Sequence, residues 1–135
     1  HKAAGKELLE ECITLNGCKT GEAKITKGYK LNAKYVIHTP GPIWRGGGYG
    51  EAELLRNCYR NSLALAVENG IETISFPSIS TGVYRFPKDY AAEIAITEIS
   101  EFLKNNSSVK LVKLVCFDED TVKIYKEAYD KIINK

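Results

Sequence analysis

No pair of metal-binding or redox cysteines is spelled anywhere in the 135 residues. Cys12, Cys18, Cys58 and Cys116 form no C-x-x-C, so neither a zinc ribbon nor a thioredoxin-like site is on offer. Excess charge is lacking too. The net charge of +2 argues against a strongly basic nucleic-acid binder and gives no sign of a membrane surface. No apolar run approaches the roughly 20 residues of a transmembrane helix. The start, His1-Lys2-Ala3-Ala4-Gly5, has no apolar stretch of the kind a signal peptide needs. G-x-x-x-x-G-K-[ST] is absent, which removes the P-loop. No Ser-His-Asp or Cys-His pairing can be read, and Asp89 and Asp118 have no evident catalytic partner. What remains is a cysteine usage that fits buried thiols in a reducing cytoplasm.

What is present suits one α/β domain over residues 1–135. That length supports a core without metals or disulfides. Hydrophobic content of 44% and charged content of 27% sit near the globular average, so the chain is not a disordered one. Ala3 to Asn16 reads as a helix, with Leu8, Cys12 and Leu15 on one face. Ala23–Thr26 and Ala33–Thr39 read as strands, the second stopped by Pro40-Gly41-Pro42. After the glycine-rich loop Arg45–Gly50, Glu51–Asn69 shows the clearest helical stripe, through Leu55, Cys58, Tyr59, Ser62, Leu63 and Ala66. Ile71–Phe76 is a strand. Pro87–Lys104 is a helix with Ala92, Ala95, Ile96, Ile99 and Leu103 inward, and Pro87 suits its first turn. Val109–Phe117 is a strand. Asp120–Ile133 closes the chain as a helix, with Val122, Tyr125, Tyr129, Ile132 and Ile133 inward. The helix–strand alternation implies a layered fold with a largely parallel central sheet.

Ligands of open α/β sheets bind beyond the carboxyl ends of strands. Three such ends carry suggestive residues: His38–Trp44, Ser78–Phe86 and Cys116–Asp118. In the second, Ser80, Thr81, Gly82 and Val83 offer successive backbone N–H groups between a strand and a helix. Such a run makes an anion-binding nest, with Gly82 free to take positive φ. The plainer reading is a tight turn that needs one glycine. Phe117 is either a stacking platform for a base or a core aromatic at the sheet rim; Trp44 and Tyr84 share that ambiguity. His38 reads as a satisfied rim histidine rather than a base. Gly46-Gly47-Gly48-Tyr49-Gly50 lacks the context of a dinucleotide fingerprint and reads as a loop or lid.

Three strings resemble the macrodomains of the MacroD type: GEAKITKGYKLNAKYVIHTPGPIW (21–44), FPSISTGVYRFPKDYAAEIAI (76–96) and VCFDED (115–120). HKAAGKELLEEC (1–12) resembles the helix after that family's glycine-rich catalytic loop. The resemblance covers essentially the whole chain, in order. It implies a three-layer α/β/α sandwich with a mixed, largely parallel sheet and an ADP-ribose cleft at the strand ends. By that resemblance Ile79, Ser80, Thr81, Gly82, Val83, Tyr84 and Arg85 wrap the diphosphate and distal ribose, with Tyr84 by the ribose. Phe117 matches the aromatic at the adenosine end. Arg85 departs from the glycine common at its position.

The family's two opening strands, its asparagine-rich segment and its GGGVD loop are not in this sequence. The resemblance therefore implies a macrodomain incomplete at its N-terminus, a possible complementing segment for it, and no catalytic residue within this chain. The implied activity of the complete domain is hydrolysis of mono-ADP-ribose from acidic side chains and of O-acetyl-ADP-ribose, without metal or cofactor. The alternative is a non-catalytic reader of ADP-ribose on proteins. Single-stranded RNA binding is a third reading, against which the near-neutral charge weighs.

Overall fold

The computed structural model describes residues 18–28 and 34–133. The expected first helix, Ala3–Asn16, lies outside them. Four strands and three helices follow: β1 (Lys24–Lys27), β2 (Tyr35–His38), α1 (Glu51–Glu68), β3 (Thr73–Pro77), α2 (Lys88–Asn105), β4 (Leu111–Val115) and α3 (Glu119–Ile133). None of the helices is long and apolar enough to cross a membrane.

The helical stripes dictate the packing. Leu55, Cys58, Tyr59, Ser62, Leu63 and Ala66 make the buried face of α1, and Ala91, Ala92, Ile94, Ala95, Ile96 and Ile99 that of α2. The alanines leave α2 slim, so it packs against α1 on one flank and α3 on the other. Phe76 enters this core from β3, its ring 5.0 Å from that of Tyr59. Val112 and Leu114 pack on it from β4. Each such large apolar side chain contributes about 1.5–3 kcal/mol when fully buried. Asp118 caps α3, accepting from Thr121 N–H at 2.7 Å. That backbone donor holds its carboxyl below the ordinary value, so Asp118 serves the helix end rather than a reaction.

The sheet is interrupted among the described residues. β1 and β2 are antiparallel, with Ile25 opposite Ile37; β3 and β4 are parallel, with Phe76 opposite Leu114. No ladder joins the two pairs. A trough of about 570 Å³ lies between β2 and β3, lined by Tyr35, Val36, Ile37, Ile74 and Phe76, with Ser62 of α1 in its wall. Glu72 carbonyl accepts from Leu111 N–H. Since a strand's edges alternate residue by residue, the backbone groups of Thr73 and Ser75 point away from β4. Gly28 N–H donates to Lys34 carbonyl, so by the same alternation Tyr35 and Ile37 turn theirs away from β1. Both sets of edge groups border the trough.

Two details correct the sequence reading. Leu103, Tyr129 and Ile133, read as inward, are 37%, 49% and 39% exposed. They line a groove beside β4 with Leu111 and Val122. The last strand is also shorter than Val109–Phe117, because β4 ends at Val115 where β3 has no further partner for it.

Candidate functional site

The loop from Ser78 to Phe86 joins β3 to α2 and is folded on itself by local bonds. Thr81 N–H and its hydroxyl both donate to Ser78 carbonyl, at 3.4 and 2.9 Å. Arg85 N–H donates to Gly82 carbonyl and Phe86 N–H to Ser80 carbonyl. This leaves three consecutive donors. Among the described residues, no carbonyl takes the N–H of Gly82, Val83 or Tyr84. Val83 is 91% exposed and nothing crowds Gly82. Ile79 is buried and anchors the loop's first turn in the core. Ser80, Thr81, Tyr84 and Arg85 are half-buried or exposed around the rim. Three consecutive N–H groups without a carbonyl partner thus lie toward the end of the run that the sequence marked.

Gly82 has the freedom to take positive φ but does not use it. Ser80 and Arg85 take it instead, at 65° and 60°. These are the residues on either side of the loop's closing bonds, where the chain must reverse. Left-handed backbone burdens a residue bearing Cβ, so Arg85→Gly is expected to raise stability by about 1 kcal/mol. A thermal-unfolding series on the two proteins checks this; no change or a loss would show that the Arg85 side chain repays the strain.

The loop after β2 is stitched to this one. Trp44 N–H donates to Tyr84 carbonyl at 2.8 Å, and the Trp44 ring lies 4.8 Å from Phe86 and 6.3 Å from Tyr90. Trp44 is thus a structural wall, not a free platform. His38 Nε2 lies 2.9 Å from the hydroxyl of buried Thr26, which makes it the satisfied rim histidine expected. Cys58 is buried, and burial pushes its thiol up, away from a reactive thiolate. Phe117, just past β4, is 87% exposed. It is an exposed aromatic at the sheet end rather than part of the core. Because β3 and β4 are parallel, Phe117 stands at the same sheet end as the Ser78–Phe86 loop.

Sequence reading missed Glu51. Its carboxylate is 2% exposed and accepts from three backbone N–H groups: Arg45 and Gly47 on Oε2, both at 2.9 Å, and Tyr49 on Oε1 at 2.6 Å. Burial alone would raise its pKa, but these donors outweigh that and hold it at about 2. The only sequence signal was an acidic residue at the first position of a helix after a glycine-rich loop. The sign of its pH effect follows. A depressed carboxyl contributes stability that is complete above its ordinary value of 4.5 and is lost as pH falls toward about 2. Glu51→Gln should therefore flatten the acid limb of a denaturation series between those values; an unchanged limb would show that Glu51 does not shape it.

Among the described residues no group of His, Cys, Asp or Glu is placed to hold a metal ion. Glu51 and Asp118 are both engaged by backbone donors.

The same architecture occurs in known proteins. The sequence model of the Macro domain family matches residues 1–95. A Macro domain-containing protein of Methanosarcina mazei is 58% identical over 133 residues, spanning 98% of this chain and 71% of its own length. A Citrobacter rodentium protein named O-acetyl-ADP-ribose deacetylase is 52% identical over 130 residues, spanning 93% of this chain and 73% of its own. The Oceanobacillus iheyensis macrodomain with ADP superimposes with a TM-score of 0.93 at 46% identity, covering 99% of this chain and 74% of that one. The Trypanosoma brucei macrodomain in complex with ADP-ribose gives 0.86 at 44%, covering 94% and 53%. With a family match over more than half its length, close relatives and this fold, the chain belongs to the Macro domain family.

Proposed function

We propose that the chain binds ADP-ribose across the ends of β3 and β4. The observation that carries this is the row of free N–H donors at Gly82, Val83 and Tyr84, between a strand and a helix. Such a row is complementary to a diphosphate. Exposed Phe117 supplies a face for the adenine on the β4 side, and Tyr84 stands toward the distal ribose. Ile79, Ser80, Thr81 and Arg85 shape the loop around these contacts. The named functions of relatives agree with this reading.

Within a complete domain the reaction is hydrolysis at the distal ribose, on O-acetyl-ADP-ribose or on mono-ADP-ribose esterified to acidic side chains. Water adds to the ester carbonyl and expels the ribose hydroxyl, or adds to the ribose anomeric carbon and expels the carboxylate; either route needs a carboxylate to orient the water. Glu51 and Asp118 do not serve, being held by backbone donors. A second reading is that this chain by itself acts as a reader of ADP-ribose. Calorimetric titration of ADP-ribose, with ADP and AMP as controls, tests the first claim. One-to-one binding that prefers ADP-ribose supports it; no binding by folded protein overturns it. Turnover of O-acetyl-ADP-ribose by this chain alone would overturn the second.

The trough between β2 and β3 is the place for a complementing strand. Its walls are apolar, the edge groups of Tyr35, Ile37, Thr73 and Ser75 border it, and buried Ser62 Oγ has no partner there among the described residues. The match covers 71% of the Methanosarcina mazei relative, and the rest is long enough to provide such a strand. Adding that unmatched segment should slow hydrogen exchange at those four amides. Equal exchange with and without it would remove the trough as a strand site. Free thiols at Cys18, Cys58 and Cys116 suit a cytoplasmic setting.

A further inference from the structure

The ligand loop shares Tyr84 with a second concavity. Thr20, Gly41, Arg45, Tyr49, Glu51 and Tyr84 are among the residues around a pocket of about 270 Å³. Arg45 and Tyr49 of the loop 45–50 stand in its wall, and that loop has little reason of its own to hold one shape. Gly46, Gly47 and Gly50 all take positive φ, and glycines lose the most freedom on being fixed. Glu51 supplies the reason. One buried carboxylate gathers alternate N–H groups, of Arg45, Gly47 and Tyr49. Trp44 then ties the base of this wall to Tyr84.

Position gives the wall a meaning. β4, with Phe117 beyond it, flanks β3 on one side. β2, with residues 39–50 beyond it, lies across the trough on the other. The nest sits between. A ligand whose base stacks on Phe117 and whose diphosphate lies on the nest must extend its far end toward Tyr84 and this pocket. We infer that the Glu51-held loop is the specificity-determining wall for whatever follows the diphosphate: Glu51 is its positioning residue, and Arg45 and Tyr49 face the distal ribose and the acyl group it carries. This rests on the ADP-ribose reading. Glu51→Gln is nearly isosteric, yet it turns one oxygen into a donor facing backbone donors, so the loop must open. Tyr49 is 72% exposed, so Tyr49→Ala removes a contact without burdening the fold.

The test is calorimetric titration of ADP and of ADP-ribose into the unaltered protein, Glu51→Gln and Tyr49→Ala. Both variants should weaken ADP-ribose by about tenfold and leave ADP within about twofold. A purely structural role for Glu51 would weaken both ligands alike, and that result overturns the inference, as does unchanged ADP-ribose affinity in both variants. Should Glu51→Gln fail to fold, Tyr49→Ala decides alone. Unaltered protein that binds ADP as tightly as ADP-ribose overturns the inference while leaving the nucleotide site standing. Binding of neither ligand overturns the ADP-ribose reading and this inference with it.

Discussion

Phe86→Ala is expected to lower the unfolding free energy by about 3–5 kcal/mol, a large share of the roughly 5–15 kcal/mol that holds a domain together. Phe86 is 1% exposed, with Trp44 at 4.8 Å and Tyr90 at 5.6 Å between ring centroids. Two rigid aromatics border the site and cannot collapse into the space a lost ring leaves, so the cavity persists. The loss also reaches the ligand loop. Phe86 N–H closes the Ser78–Phe86 turn onto Ser80 carbonyl, and Trp44, packed on the Phe86 ring, holds Tyr84 through its own N–H. Without the ring, ADP-ribose affinity should fall with stability. Phe86→Leu keeps most of the volume and should cost about 1.5 kcal/mol or less. Urea denaturation of both variants checks this. A loss under about 1 kcal/mol for Phe86→Ala would mean that the loop is not anchored through this residue.

The helices were the most legible part of the fold. Glu51–Asn69, Pro87–Lys104 and Asp120–Ile133 were read from apolar period alone and lie within one residue of α1, α2 and α3 at each end. Their stripes meet one another, so local pattern and tertiary burial agree. The same logic failed at Leu103, Tyr129 and Ile133. Period marks a surface that something will cover, and among the described residues nothing covers the groove beside β4. In the candidate site, the run of open backbone donors after β3 was legible because small residues between a strand and a helix announce it. Which of those residues takes left-handed φ was not legible. Ser80 and Arg85 do so because of closing bonds to Phe86 and Gly82, and bonds between backbone groups leave no mark on side-chain identity. Glu51 escaped notice for the same reason: all three of its partners are main-chain N–H groups.

Gly41→Ala should destabilise the protein by about 1–3 kcal/mol and weaken ADP-ribose binding further than that loss of stability explains. A Cβ on residue 41 would collide with Ser80 Oγ and come within 2.6 Å of Ile79 Cγ2. Neither side can retreat easily. Pro40 carbonyl is held by Gly21 N–H at 3.0 Å and faces the Cys58 thiol at 3.4 Å. Pro40 and Pro42 fix their own φ. On the other side Ile79 is buried in the core and Ser80 already sits at φ 65°. The softer partner is the ligand loop, so the collision should push Ser80 and, through the Ser80–Phe86 bond, the nest that follows. Gly82→Ala is the contrasting change. A Cβ there meets nothing within 4 Å, and Gly82 is absent from the positive-φ residues. The fold should tolerate it, with stability within about 0.5 kcal/mol, while the methyl group stands over the donors that face a diphosphate. Denaturation and ADP-ribose titration on both variants separate two roles of glycine. Loss of both properties at Gly41 and of binding alone at Gly82 means that the first glycine seats the loop and the second admits the ligand. Full affinity in Gly82→Ala would move the diphosphate off the Gly82–Tyr84 row, because a ligand lying against those N–H groups could not ignore the added carbon.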